Sequence, residues 1–277
     1  MLSVLNNVVR SVAAGLCVVV PLFLLALAWR PLTHGHPAHL VLLGAVAVIG
    51  VALAWWAPPW LAAVLAVVLL APAVYLQPFA ATQDTGDETV LRPEGPVRAG
   101  LVFHPGARVD HRAYLPLLRR VSEQGFLVVV VKEPLNIALL SGDTAPLRAS
   151  HPEVPVWAVG GHSLGGVAAS GDVLADPSVR GLVLWASYPT GDLSGRAGLT
   201  AWSIHGGRDG FTTPQDIAES RSRLPADTRF AEIPGAVHAF FGDYGDQPGD
   251  GVPAVSRAEA QDEIVEQTVA ALEAVAQ

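Results

Sequence analysis

The sequence predicts an α/β protein whose mostly parallel sheet is covered by helices on both faces, preceded by about three transmembrane α-helices. Three observations predict this. Residues 1–80 carry only two charged side chains, Arg10 and Arg30, and no acid, whereas residues 81–277 hold the other 15 basic and all 25 acidic residues. The first 80 residues contain three long apolar runs. From residue 97 onward, short continuous apolar runs alternate with helix-patterned segments, the pattern of parallel strands buried on both faces.

Composition narrows the functional classes. The 277 residues are 51% hydrophobic and 15% charged, with mean hydropathy +0.40, too apolar for an ordinary water-soluble globule and far from disorder. A formal charge of −8 argues against nucleic acid as a partner, because its binders carry a basic stripe. One cysteine excludes a disulfide framework and any cysteine-built metal site. The acidic second part is long enough for one domain with its own core.

In chain order, the apolar runs cover residues 12–29, 39–57 and 60–76, each approaching the ~20 residues that cross a bilayer as a helix. Trp29, Trp55, Trp56, Trp60 and Tyr75 sit at their ends, where amphipathic rings favour the membrane interface. Pro58-Pro59 separates the second run from the third. A cleaved signal peptide followed by a hairpin is the weaker alternative, since only Arg10 precedes the first apolar stretch. Arg10 on a short amino-terminal segment favours the cytoplasmic side, which places residues 81–277 outside the cell; counting Arg92 and Arg98 would reverse this. His34, His36 and His39 lack a carboxylate or thiol partner and read as interfacial polar residues rather than a metal site. The domain plan is therefore a membrane domain at 1–80, a tether and first strand at 81–96, and an α/β domain at 97–277.

Within that domain, strands are expected at 99–103, 126–131, 154–160, 181–186, 199–205 and 228–233. Helices are expected at 110–124, 137–150, 164–175, 214–224 and 258–276. The segment between Tyr188 and Leu199 is too short for an inserted lid.

The chemistry centres on Gly161-His162-Ser163-Leu164-Gly165, a G-x-S-x-G match placed between a strand and a helix. That context is a nucleophile elbow: the glycines make room for a sharp turn, and Ser163 Oγ stands clear of the sheet. A serine hydroxyl needs a base. His238 follows the last strand, and Asp209 lies just past the strand ending at His205, so both fall at the carboxyl edge of the sheet. Ser163 as nucleophile, His238 as base and Asp209 as its orienting acid form a triad. His162, His205, Asp192, Asp243 and Asp246 are the weaker candidates. Leu164 N–H and an N–H from the turn His104-Pro105-Gly106-Ala107 would form the oxyanion hole; Pro105 has no N–H, leaving Gly106 or Ala107. Lys132, Glu133 and Asn136 could line a substrate cleft, and Phe240, Phe241 and Tyr244 could wall it or pack the core.

Four segments carry a resemblance: Phe-His-Pro-Gly-Ala at 103–107, Gly-Gly-His-Ser-Leu-Gly-Gly at 160–166, His-Gly-Gly-Arg-Asp-Gly at 205–210 and Val-His-Ala-Phe-Phe-Gly-Asp-Tyr-Gly at 237–245. Over residues 97–277 the chain resembles the α/β-hydrolase superfamily, in particular its small bacterial fold-5 type; residues 1–80 lie outside the resemblance. The resemblance implies an α/β-hydrolase fold without a large lid, the order Ser163, Asp209, His238 for the triad, and Gly106 as the second oxyanion donor. It implies a serine hydrolase of carboxylic esters that needs no metal or organic cofactor. The substrate would be a small-molecule or lipid ester. Acyl transfer to an alcohol, or a catalytically dead membrane scaffold, are the competing readings.

Overall fold

A computed structural model describes residues 1–277, which divide into two compact units, Met1–Ala80 and Ala81–Gln277. The first unit is helical. It contains α1 (Leu2–Leu27), a short α2 (Trp29–His34), α3 (Ala38–Trp56) and α4 (Pro59–Tyr75). Pro59 occupies the first turn of α4, where its fixed φ suits a helix start, while Pro21 and Pro72 lie inside α1 and α4. Helices α1 and α3 approach closely because residue 50 is glycine; a Cβ there would lie 2.3 Å from Cys17 Cβ.

The first helix begins ten residues earlier than the apolar run suggested, because Leu2, Val4, Leu5, Val8 and Val9 extend the helical pattern ahead of Arg10. All three runs fold as helices, but two, α1 and α3, are long and apolar enough to cross a membrane, against the three expected. The 17 residues of α4 rise only about 26 Å at 1.5 Å each, short of a ~30 Å hydrocarbon layer.

The second unit is a seven-stranded sheet with helices. Strands β1 (Val90–Leu91), β2 (Ala99–His104), β3 (Phe126–Val130), β4 (Trp157–His162), β5 (Gly181–Trp185), β6 (Thr200–Gly206) and β7 (Arg229–Ile233) pair in the order β1-β3-β2-β4-β5-β6-β7. Only β1 runs antiparallel. The central strands β2, β3 and β5 are buried along their whole length, as their unbroken apolar runs require. Helices α5 (Leu115–Ser122) and α9 (Arg257–Val275) pack together on the sheet, and α7 (Leu164–Ala175) packs on β4, with Ala169 and Val173 joining Val102, Val159 and Leu182 in one core. The remaining helices are α6 (Ala145–Ala149) and α8 (Pro214–Ser220). Trp185 Nε1 donates to Thr268 Oγ1 at 2.9 Å, tying the middle of the sheet to α9. No helix or strand forms between β5 and β6, so no lid is inserted there.

Two expected helices come out differently. Residues 111–114 form a 3₁₀ turn ahead of α5, because the Asp110 side chain caps Arg112 N–H and draws the first turn tight. The segment 137–150 is helical only at α6. Leu135 and Asn136 adopt left-handed φ of 54° and 51°, and a 3₁₀ turn at Ala138–Leu140 ends before Gly142.

The strand order fixes where chemistry can gather. From β2 the chain moves outward to β3, then returns past β2 to β4. The loops leaving the carboxyl ends of β2 and β4 therefore diverge on either side of one crevice, the place where open α/β sheets bind ligands.

Candidate active site

Ser163 stands at that crevice, between β4 and α7, with φ 53° and ψ −122°. A non-glycine residue rarely holds a positive φ, and such strain collects at functional sites. Its surroundings over-determine the bend. Ser163 N–H donates to Trp185 O at 2.9 Å, and Ser163 O accepts from Gly166 N–H at 3.0 Å and Ser187 Oγ–H at 2.7 Å. The flanking glycines are sterically compulsory. A Cβ on Gly165 would lie 2.1 Å from His104 O, and one on Gly161 would lie 2.4 Å from the Gly165 carbonyl carbon. The elbow is thus wedged against the backbone of the turn after β2.

His238 opens a 3₁₀ turn after β7, and Asp209 follows β6. The two side chains are buried together, with His238 Nδ1 2.8 Å from Asp209 Oδ2. Asp209 Oδ1 accepts Phe211 N–H at 2.8 Å and Thr212 N–H at 2.7 Å. With one oxygen held by the backbone, the other faces only the imidazole, so Nδ1 carries the proton and Nε2 is left as the basic nitrogen.

The turn after β2 directs its two candidate N–H groups differently. Gly106 N–H does not face open space; it donates to the buried Tyr114 hydroxyl at 2.9 Å, and Tyr114 Oη–H in turn meets His162 Nδ1 at 2.8 Å. Of the two N–H groups expected from this turn, that of Gly106 is engaged by Tyr114. Val109 N–H to Gly106 O at 3.1 Å closes a turn in which Ala107 N–H has no acceptor. Leu164 N–H, at the first position of α7, likewise has no intrahelical acceptor.

His162 points into the core. Its ring stacks on Phe241 with centroids 5.7 Å apart and planes at 8°, and its centroid lies 4.5 Å from that of His238. Burial, then the neighbouring His238, hold its pKa well below the ordinary histidine value, so it is a neutral acceptor for Tyr114.

His104 is anchored from the other side. Nδ1 lies 2.7 Å from Glu133 Oε1 and Nε2 lies 3.1 Å from Asp172 Oδ2. Burial works against charging this ring, but its hydrogen bonds to Asp172 and Glu133 outweigh burial and raise its pKa to about 9. His104 is an imidazolium between two carboxylates, and Glu133 turns inward to it rather than lining a cleft. Lys132 pairs with Asp87 at 3.1 Å. Asn136 is buried, and its carbonyl accepts Arg108 N–H at 2.7 Å.

The remaining candidates fall outside the crevice chemistry. His205 is buried at the end of β6, and burial lowers its pKa. Asp192 caps Ser194, Asp243 is buried against Gln261, and Asp246 is exposed. Phe240, Phe241 and Tyr244 are buried in the core. His36 and His39 engage separate backbone groups, Ala38 N–H and Leu76 O.

Two residues escaped sequence reasoning. Asp250 ties the acid loop to the base loop: Oδ1 accepts from Gly210 N–H at 3.0 Å, His238 N–H at 3.2 Å and Gly251 N–H at 2.7 Å, and Oδ2 accepts from Ala239 N–H at 2.8 Å. Its setting, Pro248-Gly249-Asp250-Gly251, reads as an ordinary turn. Phe211, two residues after Asp209, is 42% exposed and sits edge-on to the His238 ring at 5.4 Å.

The alpha/beta hydrolase family model matches residues 100–263. The chain belongs to the alpha/beta hydrolase family. Among solved structures, it is similar to the esterase domain of a Rhodothermus marinus protein (14% identity, TM-score 0.50, 68% of this chain and 92% of that chain). It is also similar to Est1E from Butyrivibrio proteoclasticus, solved with ferulic acid bound (10% identity, TM-score 0.48, 66% of this chain and 94% of that chain). No curated protein matches it by sequence. As a family member it is a hydrolase, and the first of these likenesses shows the fold alone.

Proposed function

We propose that this alpha/beta hydrolase is a membrane-anchored serine hydrolase that cleaves carboxylic esters through an acyl-enzyme. The observation that carries the reading is the buried His238–Asp209 pair at 2.8 Å, presented at the same sheet edge as a strained Ser163. His238 Nε2 takes the Ser163 hydroxyl proton as Oγ attacks the ester carbonyl. Asp209 holds the tautomer and stabilises the imidazolium that forms. The N–H groups of Leu164 and Ala107 receive the oxyanion, and the α7 amino terminus adds a favourable field. The tetrahedral adduct collapses, and the alcohol leaves with the proton from His238. Water then attacks the acyl-Ser163, giving its proton to His238, and collapse returns that proton to Ser163 as the carboxylic acid departs. Phe211, exposed beside His238, supplies apolar contact for the acyl or alcohol group. With no lid between β5 and β6, the site favours small or membrane-presented esters.

Residues 1–80 are the anchor in this reading. Arg10 stays on the cytoplasmic side, and three crossings, the last with local bilayer thinning around the short α4, put the hydrolase unit outside.

The test is fluorophosphonate labelling of the full chain against Ser163→Ala, followed by an ester panel of graded acyl length with and without added alcohols. Labelling that disappears in Ser163→Ala, together with release of free acid, is the expected result. Labelling that survives Ser163→Ala refutes the nucleophile, and product appearing on the alcohol in preference to water identifies an acyltransferase instead.

A further inference from the structure

The helical unit contains a cation without a counter-ion. Residues 1–80 hold no aspartate or glutamate, so Arg10 has no carboxylate within its own unit. Its one hydrogen bond runs from Nη2 to Ala57 O, at the carboxyl end of α3, at 3.0 Å. Its Nε is buried and has no partner. A guanidinium keeps its charge and offers five N–H donors in a planar fork. Leaving those donors and that charge unanswered in an apolar unit costs far more than pairing them with an anion.

The space for an anion adjoins the group. A cavity of about 440 Å³ is lined by Asn7, Arg10, Ser11, Ala14, Ala54 and Trp55. Asn7, Arg10, Ser11 and Ala14 stand on one face of α1, spaced three and four residues apart. Asn7 and Ser11 are exposed, so their amide and hydroxyl are free to join the guanidinium as donors. The far wall is the end of α3, where Trp55 and Trp56 are 78% and 88% exposed and Trp60 follows across the Pro58-Pro59 turn. Three exposed tryptophans at one end of a helical bundle mark the headgroup level of a bilayer. At that level the abundant anion is the phosphate of a phospholipid, whose oxygens match a guanidinium fork.

We infer that the cavity between the amino-terminal part of α1 and the end of α3 binds the phosphodiester of a membrane phospholipid, with Arg10 as its principal ligand and Asn7 and Ser11 as supporting donors. This rests on the reading that residues 1–80 lie in a membrane.

The experiment uses the full chain purified in mild non-ionic detergent and offered phosphatidylglycerol or a diacylglycerol with the same tails, with retained lipid read by native mass spectrometry. Wild type should retain phosphatidylglycerol and not diacylglycerol. Arg10→Gln should lower retention about tenfold or more, Arg10→Lys should keep part of it, and Arg30→Gln, which alters the unit's other cation, should leave it unchanged. Equal retention of the two lipids, or retention unaffected by Arg10→Gln, overturns the site. Displacement of phosphatidylglycerol by excess inorganic phosphate rejects the lipid and assigns the site to a free anion. The anchor is judged separately: a chain released from membranes by alkaline carbonate without detergent refutes the membrane reading, whereas one that needs detergent yet ignores the phosphate refutes the site alone.

Discussion

Asp250→Asn isolates how much catalysis depends on holding the base loop against the acid loop. In the native site the Asp250 carboxylate accepts four backbone N–H groups, two of them from His238 and Ala239 and one from Gly210, the neighbour of Asp209. Asparagine is nearly isosteric. Its oxygen can keep the three donors now on Oδ1, but its amide nitrogen would face Ala239 N–H, replacing a 2.8 Å hydrogen bond with two opposed donors. Losing one hydrogen bond to a charged group costs about 1.5–3 kcal/mol. If that loss loosens the position of the His238 ring, it appears in the barrier, and about 1.5–3 kcal/mol corresponds to roughly 10- to 150-fold in rate. The assay is steady-state hydrolysis of the best ester from the panel, with fluorophosphonate labelling rates and thermal unfolding alongside. The expected result is a fall of about that size in kcat and in labelling rate, with KM and the pH profile little changed, because Asp250 is a positioning residue that touches no reacting atom. A kcat within about twofold of wild type would refute the reasoning, since it would mean the His238–Asp209 bond fixes the imidazole without the clamp.

Two further predictions concern the turn after β2. Tyr114→Phe strands the buried Gly106 N–H and His162 Nδ1 together, so thermal unfolding should show a loss of about 2 kcal/mol or more, and kcat should fall while KM holds; unchanged stability would show that neither group needs the hydroxyl. The raised pKa of His104, about 9 against 6.5 unfolded, contributes stability that is complete below pH 6.5 and lost as pH rises through 9, on the order of 3 kcal/mol; unfolding midpoints between pH 7 and 10 should fall accordingly, and that slope should flatten in His104→Asn.

What could be read from the sequence divides along a physical line. The elbow was legible because its requirement is local: within five residues, Gly161 and Gly165 must lack Cβ atoms for Ser163 to take a positive φ. The alternation of strands and helices was legible for the same reason, since buried parallel strands such as Phe126–Val130 need no partner to look apolar on both faces. The segment 137–150 is not one helix because Asn136 takes a left-handed φ just ahead of it and Gly142 lies between its two helical pieces, while Pro146 sits in the first turn of α6, where proline starts a helix rather than continuing one. Whether the 17 residues of α4 cross is decided by a difference of a few residues, which composition alone does not register.

The turn after β2 was the least legible element, because what decides it lies far away in sequence. Three groups set its position from below. The His104 ring is gripped by Glu133 and by Asp172, which are 29 and 68 residues away. The His104 and Pro105 carbonyls press on Gly165 of the elbow so closely that no Cβ fits. Gly106 N–H is drawn down to Tyr114, whose hydroxyl is in turn anchored on His162 inside the elbow itself. A glycine with a free N–H and a glycine whose N–H is engaged by a tyrosine are identical in sequence, so the resemblance could only favour the first. With Pro105 lacking an N–H and Gly106 N–H turned inward, the proposed mechanism assigns the oxyanion contact of this turn to Ala107. The elbow and the turn share the Tyr114–His162 bond, so a displacement of one displaces the other. That coupling gives the neutral, buried His162 a structural reason to sit beside Ser163.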